Sequence, residues 1–409
     1  MKNYHINHLV RSIKTSSDPV ILFGAGKYGT LALNALKKLE VSVKYFCDDE
    51  NQKDTFLNIP VISPKKLAEL SGKPHIFICT SYAMASIESR IKEMNYENIY
   101  DCVNLFENTD FNLINFDDMN FHEIRRRIDL YKAECISIQP VKNKSLDLKY
   151  VDIVITEACS MKCESCSNLM QYYLKPKNSN LELLFKSIDK LMEVTEELYE
   201  FRLLGGEPFV NKQIGKIVNK LLDYKNAKNI VIYSNATIIP KGENFECLKN
   251  EKVLVDITNY GKLSTKHKEY IELFKNNKIK YTTNIPVWTD SGTINYQKKS
   301  EEKLTHMFKN CCVNDVLTLL NGKLYRCPFS ANIMNLNAIP INKTDFVDLS
   351  KDNKSLEILK EEIFNLYKNK KFLDACSYCN GRDYTTPKIK TAIQTKIPLK
   401  IPAITSTNI

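Results

Sequence analysis

Three closely spaced cysteines carry the clearest chemical signal in this sequence. Cys159, Cys163 and Cys166 are separated by three and then two residues, and they follow the apolar run Val151 to Ile155, which predicts a buried strand. A loop leaving a strand can place three thiolates on one face of an iron–sulfur cube, and thiolate is the ligand that such clusters require. Three local ligands leave the fourth iron open to a substrate. The alternative is a zinc knuckle, although structural zinc usually takes four ligands from two Cys-x-x-Cys pairs.

Two later motifs each stand at the end of a run that predicts a strand. Gly205–Pro208, with the sequence Gly-Gly-Glu-Pro, follows Phe201 to Leu204. Ser234–Thr237, with the sequence Ser-Asn-Ala-Thr, follows Ile230 to Tyr233. Either motif alone would more often be a turn, so their order after the three cysteines is what gives them weight.

These three motifs together resemble the radical S-adenosylmethionine (radical SAM) family, over residues 150–385. The resemblance implies a [4Fe–4S] cluster on the three cysteines and S-adenosylmethionine bound at its open iron. Ser165 departs from the family pattern, which usually has an aromatic residue there beside the adenine. The residues that the resemblance assigns to S-adenosylmethionine are Gly205, Gly206, Glu207, Ser234 and Asn235.

A second set of cysteines lies in the last quarter of the chain. One of Cys311 and Cys312, together with Cys327, Cys376 and Cys379, makes four thiolates, which can close a [4Fe–4S] cluster or hold zinc. The order of these cysteines resembles the twitch domain, a shortened SPASM domain of radical SAM enzymes, and this implies an auxiliary [4Fe–4S] cluster. Spacing does not distinguish Cys311 from Cys312, and the spare thiol is either inert or a hydrogen-atom donor.

The resemblance also implies a reaction. One electron enters the first cluster, S-adenosylmethionine is cleaved, and the resulting 5′-deoxyadenosyl radical abstracts a hydrogen atom from a substrate carbon. Two clusters favour a two-electron oxidation (dehydrogenation) of a carbohydrate or nucleotide-linked small molecule, with Asp256, Tyr260 and Asp290 as candidate bases. An epimerase or a peptide-modifying maturase is the alternative. A non-catalytic iron–sulfur electron carrier or redox sensor is the alternative from another class.

The N-terminal segment carries a glycine motif of its own. Gly24, Gly26 and Gly29 follow the short apolar run Val20 to Phe23 and precede a helical stretch, which can bring backbone N–H groups close to a phosphate. An acid about twenty residues further on, Asp48 or Asp49, stands where a ribose hydroxyl could be bound. The alternative is a scaffold that docks a partner and binds no nucleotide.

The elements that must position these residues predict an α/β chain. Strands alternate with helices from residue 150 to residue 300, which indicates a parallel sheet covered by helices, and Asn321-Gly322 predicts a later β-hairpin. With the resemblance, the predicted fold is a Rossmann-like parallel sheet domain, a partial (β/α)6 barrel and a small iron–sulfur domain with a β-hairpin. The predicted boundaries are 1–115 for the Rossmann-like domain, 116–149 for a helical connector, 150–308 for the barrel, 309–385 for the twitch-like domain, and 386–409 for a loosely ordered tail.

Composition limits the partners. The 409 residues carry a formal charge of +10, but the lysines are dispersed and no arginine-rich or basic–aromatic stretch predicts nucleic-acid binding. No apolar stretch approaches the ~20 residues that cross a bilayer. The 13 cysteines are not spaced like a secreted disulfide framework. We therefore expect a cytoplasmic protein without membrane contact. The resemblance implies an electron donor such as flavodoxin or ferredoxin.

Overall fold

The computed structural model describes residues 4–49, 54–81, 84–113, 121–137, 145–352, 354–383 and 386–402. The chain divides into two compact units, Met1–Pro140 and Val141–Ile409. Each unit contains parallel strands with helices, so the predicted mixed α/β class is confirmed. Within the described ranges, no helix has both the length and the apolar character needed to cross a membrane.

The first unit is built on a six-stranded sheet with the order β3-β4-β2-β1-β5-β6. Every neighbouring pair is parallel except β3 with β4. The elements are α1 (Ile6–Thr15), β1 (Val20–Phe23), α2 (Lys27–Lys38), β2 (Tyr45–Cys47), β3 (Thr55–Phe56), β4 (Ile59–Ile62), α3 (Pro64–Ala68), β5 (His75–Ile78), α4 (Met84–Glu93), β6 (Ile99–Tyr100), α5 (Val103–Glu107) and α6 (Phe121–Ser137).

Helix α6 belongs to the first unit and does not stand apart as a connector. Ile124, Tyr131 and Cys135 on this helix are buried in the same apolar core as the strands. The Tyr131 hydroxyl also accepts the Cys102 backbone N–H at 3.0 Å. The predicted connector 116–149 is therefore wrong for α6. Residues 116–120 and 138–144 of that range lie outside the described residues.

The second unit is built on an eight-stranded sheet with the order β11-β10-β9-β8-β7-β13-β14-β15. Its elements are β7 (Asp147–Thr156), α7 (Leu181–Glu193), β8 (Glu197–Gly205), α8 (Ile214–Leu222), β9 (Ala227–Ser234), α9 (Glu243–Glu246), β10 (Val253–Thr258), α10 (His267–Asn276), β11 (Tyr281–Asn284), β12 (Trp288–Thr289), α11 (Glu301–Lys309), β13 (Val316–Leu320), β14 (Lys323–Tyr325), α12 (Pro328–Asn335), β15 (Phe346–Asp348), α13 (Leu356–Phe364) and β16 (Lys388–Ile389).

Six strands of this sheet, in the order β11-β10-β9-β8-β7-β13, are each parallel to the next. Their side chains alternate between the two faces of the sheet. On β7, Val151, Ile153 and Ile155 enter the main apolar core. The opposite face carries charge, because Asp152 forms an ion pair with Arg202 of β8 at 2.6 Å. Burial raises the pKa of the fully buried Asp152, and the Arg202 charge opposes this effect. One face thus supplies the hydrophobic stabilisation while the other holds polar groups.

The predicted hairpin is present, but it joins the main sheet. Strands β13 and β14 pair antiparallel across Asn321 and Gly322, whose φ angles of +48° and +77° are what a type I′ turn requires. Strand β13 in turn pairs parallel with β7, the strand that leads into the first cysteine loop. The second cysteine region therefore shares a sheet and a compact unit with the first, and the expected boundary at 308/309 does not separate two sheets.

The end of the chain is also more structured than a loose tail. Strand β16 pairs antiparallel with β12, and Gln394 forms a β-bridge with Cys163. Ala392 is 3% exposed and packs beside Met161 and Cys163. The prediction of a loosely ordered tail is wrong for residues 386–402, whereas 403–409 lie outside the described residues.

Candidate iron–sulfur site

The three motifs meet at one edge of the parallel sheet. Strand β7 ends at Thr156, shortly before the cysteine loop, while Gly205 ends β8 and Ser234 ends β9. Because β7, β8 and β9 are adjacent and parallel, their C-terminal ends lie side by side. The sequence order of the motifs is thus converted into proximity by the sheet.

The backbone of Gly205 and Gly206 packs directly against the backbone at the start of the cysteine loop. The Gly206 N–H donates to the Thr156 carbonyl, and the Glu207 N–H donates to the Ala158 carbonyl, each at 2.9 Å. A Cβ atom on Gly206 would lie 1.9 Å from the Ala158 oxygen. Gly205 has φ +134° and would place a Cβ 2.1 Å from the Thr156 oxygen. Only glycine permits this close backbone approach.

Glu207 links the second motif to the third. Its fully buried carboxylate accepts the Ser234 hydroxyl at 2.9 Å and the backbone N–H groups of Asn235 at 2.7 Å and Phe209 at 3.2 Å. Burial raises the pKa of Glu207 to about 7, although these three hydrogen bonds oppose the rise. Glu207 therefore positions the third motif. Contact between the second motif and S-adenosylmethionine stays a prediction.

The third motif reaches back to the cysteine loop through side chains. The Asn235 amide nitrogen donates to the Ser160 hydroxyl at 3.1 Å and lies 3.8 Å from the Cys159 sulfur. The hydroxyls of Ser160 and Thr237 are 2.5 Å apart. The polar groups of all three motifs thus form one connected network at the strand ends.

The first three cysteines are free thiols in a partly buried setting. Burial raises the pKa of Cys159 to about 12 and that of Cys163 to about 11. Burial also raises the pKa of Cys166, and backbone N–H groups that follow it oppose the rise. A bound metal centre would lower these pKa values, because it binds the deprotonated thiolate. In the described part of the chain, no group of three or more His, Cys, Asp or Glu is arranged to hold a single metal ion.

Of the three candidate bases, only Tyr260 packs at the cysteine loop. Its ring packs against the apolar group around Met161 and Cys163. It also makes an edge-to-face contact with the Trp288 ring, with the two ring centroids 5.9 Å apart. Burial, together with the nearby cysteines, raises the pKa of Tyr260 far above neutrality, so its hydroxyl stays protonated. Tyr260 can donate a hydrogen bond there but does not fit the role of a base.

The two candidate aspartates are placed differently. Asp256 is buried on β10 and accepts the Asn284 side-chain amide at 2.7 Å. Asp290 follows β12, where its carboxylate accepts the Gly292 N–H at 2.9 Å and its own N–H donates to the Pro387 carbonyl. Asp290 thus stabilises a turn, and Asp256 is the carboxylate that remains on a parallel strand near the motifs.

Four of the five C-terminal cysteines line one largely apolar cavity. Cys311 follows α11, and Cys327 is the N-cap of α12. Cys376 lies within the 3₁₀ helix Asp374–Tyr378, and Cys379 is its C-cap. Cys312 is exposed and does not line the cavity. The cavity lining thus favours Cys311 as the fourth thiol, and the choice between the two cysteines stays a prediction.

The cavity offers few charges and several N–H donors. Burial raises the pKa of Cys327 and of Cys376 to about 12 each. The Ser330 N–H points to the Cys327 sulfur at 3.3 Å, and the Gly381 N–H points to the Cys379 sulfur at 3.4 Å. Four thiols with these donors fit a cluster that needs four thiolates.

Several polar groups at the glycine turn of the first unit already have partners within the protein. Gly24 has φ +122° and a Cβ there would lie 2.6 Å from the Cys79 carbonyl oxygen, so this turn requires glycine. The Ala25 N–H donates to Asp48 at 2.7 Å, and Asp49 makes two hydrogen bonds with Arg90 at 2.9 and 2.6 Å. Both predicted ribose ligands already have partners, and nucleotide binding by this turn stays a prediction.

Sequence reasoning missed one contact at the first site. Gln394 donates its side-chain amide to the Cys163 sulfur at 3.1 Å from a position 231 residues away in sequence. No motif surrounds Gln394, and its segment has the composition of a tail. Only the antiparallel bridge with Cys163 reveals it.

Comparison with known proteins supports the first site. Residues 151–280 match the family described as "4Fe-4S single cluster domain". The matched range contains the first three cysteines and both strand-end motifs, and it ends before Cys311.

Curated relatives match over a similar short region. GTP 3′,8-cyclase of Clostridium acetobutylicum is 27% identical over 97 residues, which are 23% of this chain and 30% of the relative. The mitochondrial GTP 3′,8-cyclase of Arabidopsis thaliana is 31% identical over 119 residues, which are 27% of this chain and 30% of the relative. The chain thus matches less than a third of the length of these relatives.

Solved structures match more weakly. BtrN in complex with AdoMet and 2-DOIA has 14% identity and a TM-score of 0.36, over 62% of this chain and 98% of that chain. Streptococcus suis SuiB bound to precursor peptide SuiA has 16% identity and a TM-score of 0.30, over 63% of this chain and 57% of that chain. At such scores the likeness carries no argument about fold or function.

The cysteine loop, the network around Glu207 and the match over 151–280 define an iron–sulfur domain at the ends of parallel strands. The matches over this region support the resemblance of its motifs to the radical SAM family. The match supports the predicted [4Fe–4S] cluster of the first site, and the binding of S-adenosylmethionine stays a prediction. The second set of cysteines lies beyond the matched range. The cavity that these cysteines line is therefore the support for a second cluster.

Proposed function

We propose that this chain is a radical SAM enzyme that oxidises a carbon of a small carbohydrate or nucleotide-linked substrate by two electrons. The observation that carries the proposal is the single polar network joining the cysteine loop, Glu207 and Asn235. An electron carrier needs the thiolates but has no use for two further motifs built against them. A network of this kind is expected where a small molecule must be held beside a metal centre.

The chemistry would come from the bound groups. When bound, an iron–sulfur cluster and S-adenosylmethionine would supply the one-electron chemistry that can remove a hydrogen atom from a substrate carbon. Cys159, Cys163 and Cys166 would hold that cluster. The buried Glu207 and Ser234, together with the partly buried Asn235, would keep the strand ends rigid, so that the reacting carbon stays within reach of the radical.

The second set of cysteines supports the two-electron outcome. Cys311, Cys327, Cys376 and Cys379 would hold an auxiliary [4Fe–4S] cluster, which can accept the second electron of the substrate radical. If the oxidised group is an alcohol, its hydroxyl proton must also leave. Asp256 is the remaining candidate base, because Tyr260 stays protonated and Asp290 stabilises a turn.

The curated relatives and the first unit bear on the class of substrate. The curated relatives are named for a reaction of GTP, which favours a nucleotide-linked substrate. We propose that the first unit is Rossmann-like and carries a nucleotide- or sugar-linked part of the substrate. All thirteen cysteines are free, which fits a reducing compartment such as the cytoplasm, with flavodoxin or ferredoxin as the electron donor.

The test is anaerobic reconstitution of the full chain. We expect about eight iron atoms per chain, as two [4Fe–4S] clusters require. Dithionite and S-adenosylmethionine should then yield 5′-deoxyadenosine, even slowly and without substrate. Cys163→Ala should abolish this product, whereas Cys247→Ala, at a buried cysteine in the apolar core, should not. Iron uptake without any 5′-deoxyadenosine would favour the electron carrier or redox sensor instead.

An epimerase is the second candidate, and one observation favours it. Cys312 is exposed beside the four-thiol cavity, so it could return a hydrogen atom to a substrate radical. Turnover in deuterated water separates the two reactions. A stereoinverted product that gains one deuterium would replace the dehydrogenase proposal.

A further inference from the structure

The C-terminal segment 392–395 lies along the first cysteine loop as a short antiparallel partner. The Glu164 N–H donates to the Ile393 carbonyl, and the Thr395 N–H donates to the Lys162 carbonyl, each at 2.7 Å. These two bonds flank Cys163 and Gln394 and make them a non-hydrogen-bonded pair, the arrangement in which opposite side chains lie closest. The register therefore places the Gln394 side chain against the Cys163 sulfur.

The direction of the Gln394 amide is fixed by its neighbours. Its oxygen accepts the Lys162 backbone N–H at 2.8 Å, which only an acceptor can do. Its nitrogen donates to the Ala392 carbonyl at 2.8 Å and to the Cys163 sulfur at 3.1 Å. A flipped amide would face donor to donor and acceptor to acceptor, so the N–H group is directed at the sulfur.

This contact differs in kind from the hydrogen bonds that Gln171 makes to the loop. Gln171 also donates to the loop, but only to the carbonyls of Glu164 and Cys166. Such bonds hold the backbone in place, whereas a bond to a thiolate sulfur also stabilises negative charge. Hydrogen bonds to the sulfurs are among the features that set the potential of an iron–sulfur cluster.

We propose that Gln394 is a positioning residue that raises the reduction potential of the cluster held by Cys159, Cys163 and Cys166. This inference rests on the proposed function, because it assumes that these thiolates hold a cluster. Reduction adds one negative charge, and the N–H donor stabilises the more negative state more strongly than the oxidised one. The C-terminal segment thereby makes the first electron transfer easier.

The test compares three variants of the full, reconstituted protein in a potentiometric titration followed by electron paramagnetic resonance. The signal that S-adenosylmethionine perturbs reports the first cluster. Gln394→Leu removes the donor and keeps a side chain of similar size. At a fixed potential, the ratio of reduced to oxidised cluster should fall roughly tenfold, which corresponds to a decrease in reduction potential of about 59 mV for one electron. Gln394→Glu keeps the acceptor for Lys162 but adds a negative charge, so its potential should fall further.

Thr395→Val is the matched control, because its hydroxyl lies in the same segment and has no hydrogen-bond partner. This variant should keep the wild-type potential. Gln394 is exposed, so its variants should fold, and iron content checks this. If the leucine variant binds less iron, the glutamate variant decides alone.

A glutamate variant with a potential at or above that of wild type would overturn the proposal. Equal shifts in all three variants would overturn it as well, because they would show a general effect of the segment. Absence of any signal that S-adenosylmethionine perturbs in the wild-type protein would instead contradict the proposed function.

Discussion

The two cysteine sites of this chain are built in opposite ways. The first occupies the eight residues Cys159–Cys166 on one loop, and polar groups from two strand ends hold it. The second gathers Cys311, Cys327 and the pair at 376 and 379 from three separate segments around an apolar cavity. A local loop can leave one iron open, whereas four ligands from a folded cavity can enclose a cluster fully. The difference suits one site to substrate chemistry and the other to storing an electron.

Replacing one cysteine ligand at each site tests the difference between the two sites most directly. Cys163→Ala should reduce 5′-deoxyadenosine formation to background, because the open cluster is lost. Cys376→Ala should leave that reaction in place, remove about half of the iron and stop turnover of substrate. Iron analysis and product chromatography measure both. Full substrate turnover by Cys376→Ala would remove the second site from the reaction.

The adjacent thiols Cys311 and Cys312 sharpen the description of the second site. Cys311 lines the cavity and Cys312 is exposed, so Cys311→Ser should lose about half of the bound iron and Cys312→Ser should keep nearly all of it. Iron and sulfide content of the two reconstituted variants decides this. The opposite result would mean that Cys312 turns inward when the cluster is present.

Close backbone packing is expected to contribute to stability at the first site. Gly206→Ala would place a Cβ 1.9 Å from the Ala158 oxygen, so we expect a loss of about 3 kcal/mol in the free energy of unfolding. Gly26→Ala is the control, since a Cβ there meets nothing within 4 Å, and its cost should stay under about 1 kcal/mol. Urea unfolding of the iron-free variants measures both values; equal costs would contradict the tight fit of the loop.

The smallest expected effect is a pH dependence of stability from Glu207. Burial raises its pKa to about 7 from the model-compound value of 4.5, so the folded state binds the extra proton between these two pH values. This stability is fully present below pH 4.5 and is lost as pH rises through about 7, at about 1.4 kcal/mol per pKa unit.

Glu207→Gln removes that titration and should also cost a constant amount, because an amide cannot accept every N–H that the carboxylate accepts. The melting temperature of iron-free wild type should therefore exceed that of the variant by a larger margin at pH 5 than at pH 8. A constant margin across this range would show that Glu207 is ionised throughout.

Much of the chain follows from local signals. The apolar run before Cys159 became β7, and Asn321-Gly322 became a type I′ hairpin, because backbone propensity acts over a few residues. The strand-end motifs lie together because neighbouring parallel strands end at one edge. Cysteine spacing, together with the order of the two later motifs, likewise predicted the first site.

Long-range packing decided the rest. The sequence by itself determined which residue types stand at the strand ends and that two sets of thiols exist. It did not determine that α6 packs into the first unit, that β13 pairs with β7, that Cys311 and not Cys312 faces the cavity, or that Gln394 meets the Cys163 sulfur. Each of these contacts joins segments far apart in the chain, and their pairing depends on the packing of the whole unit, which no short stretch encodes.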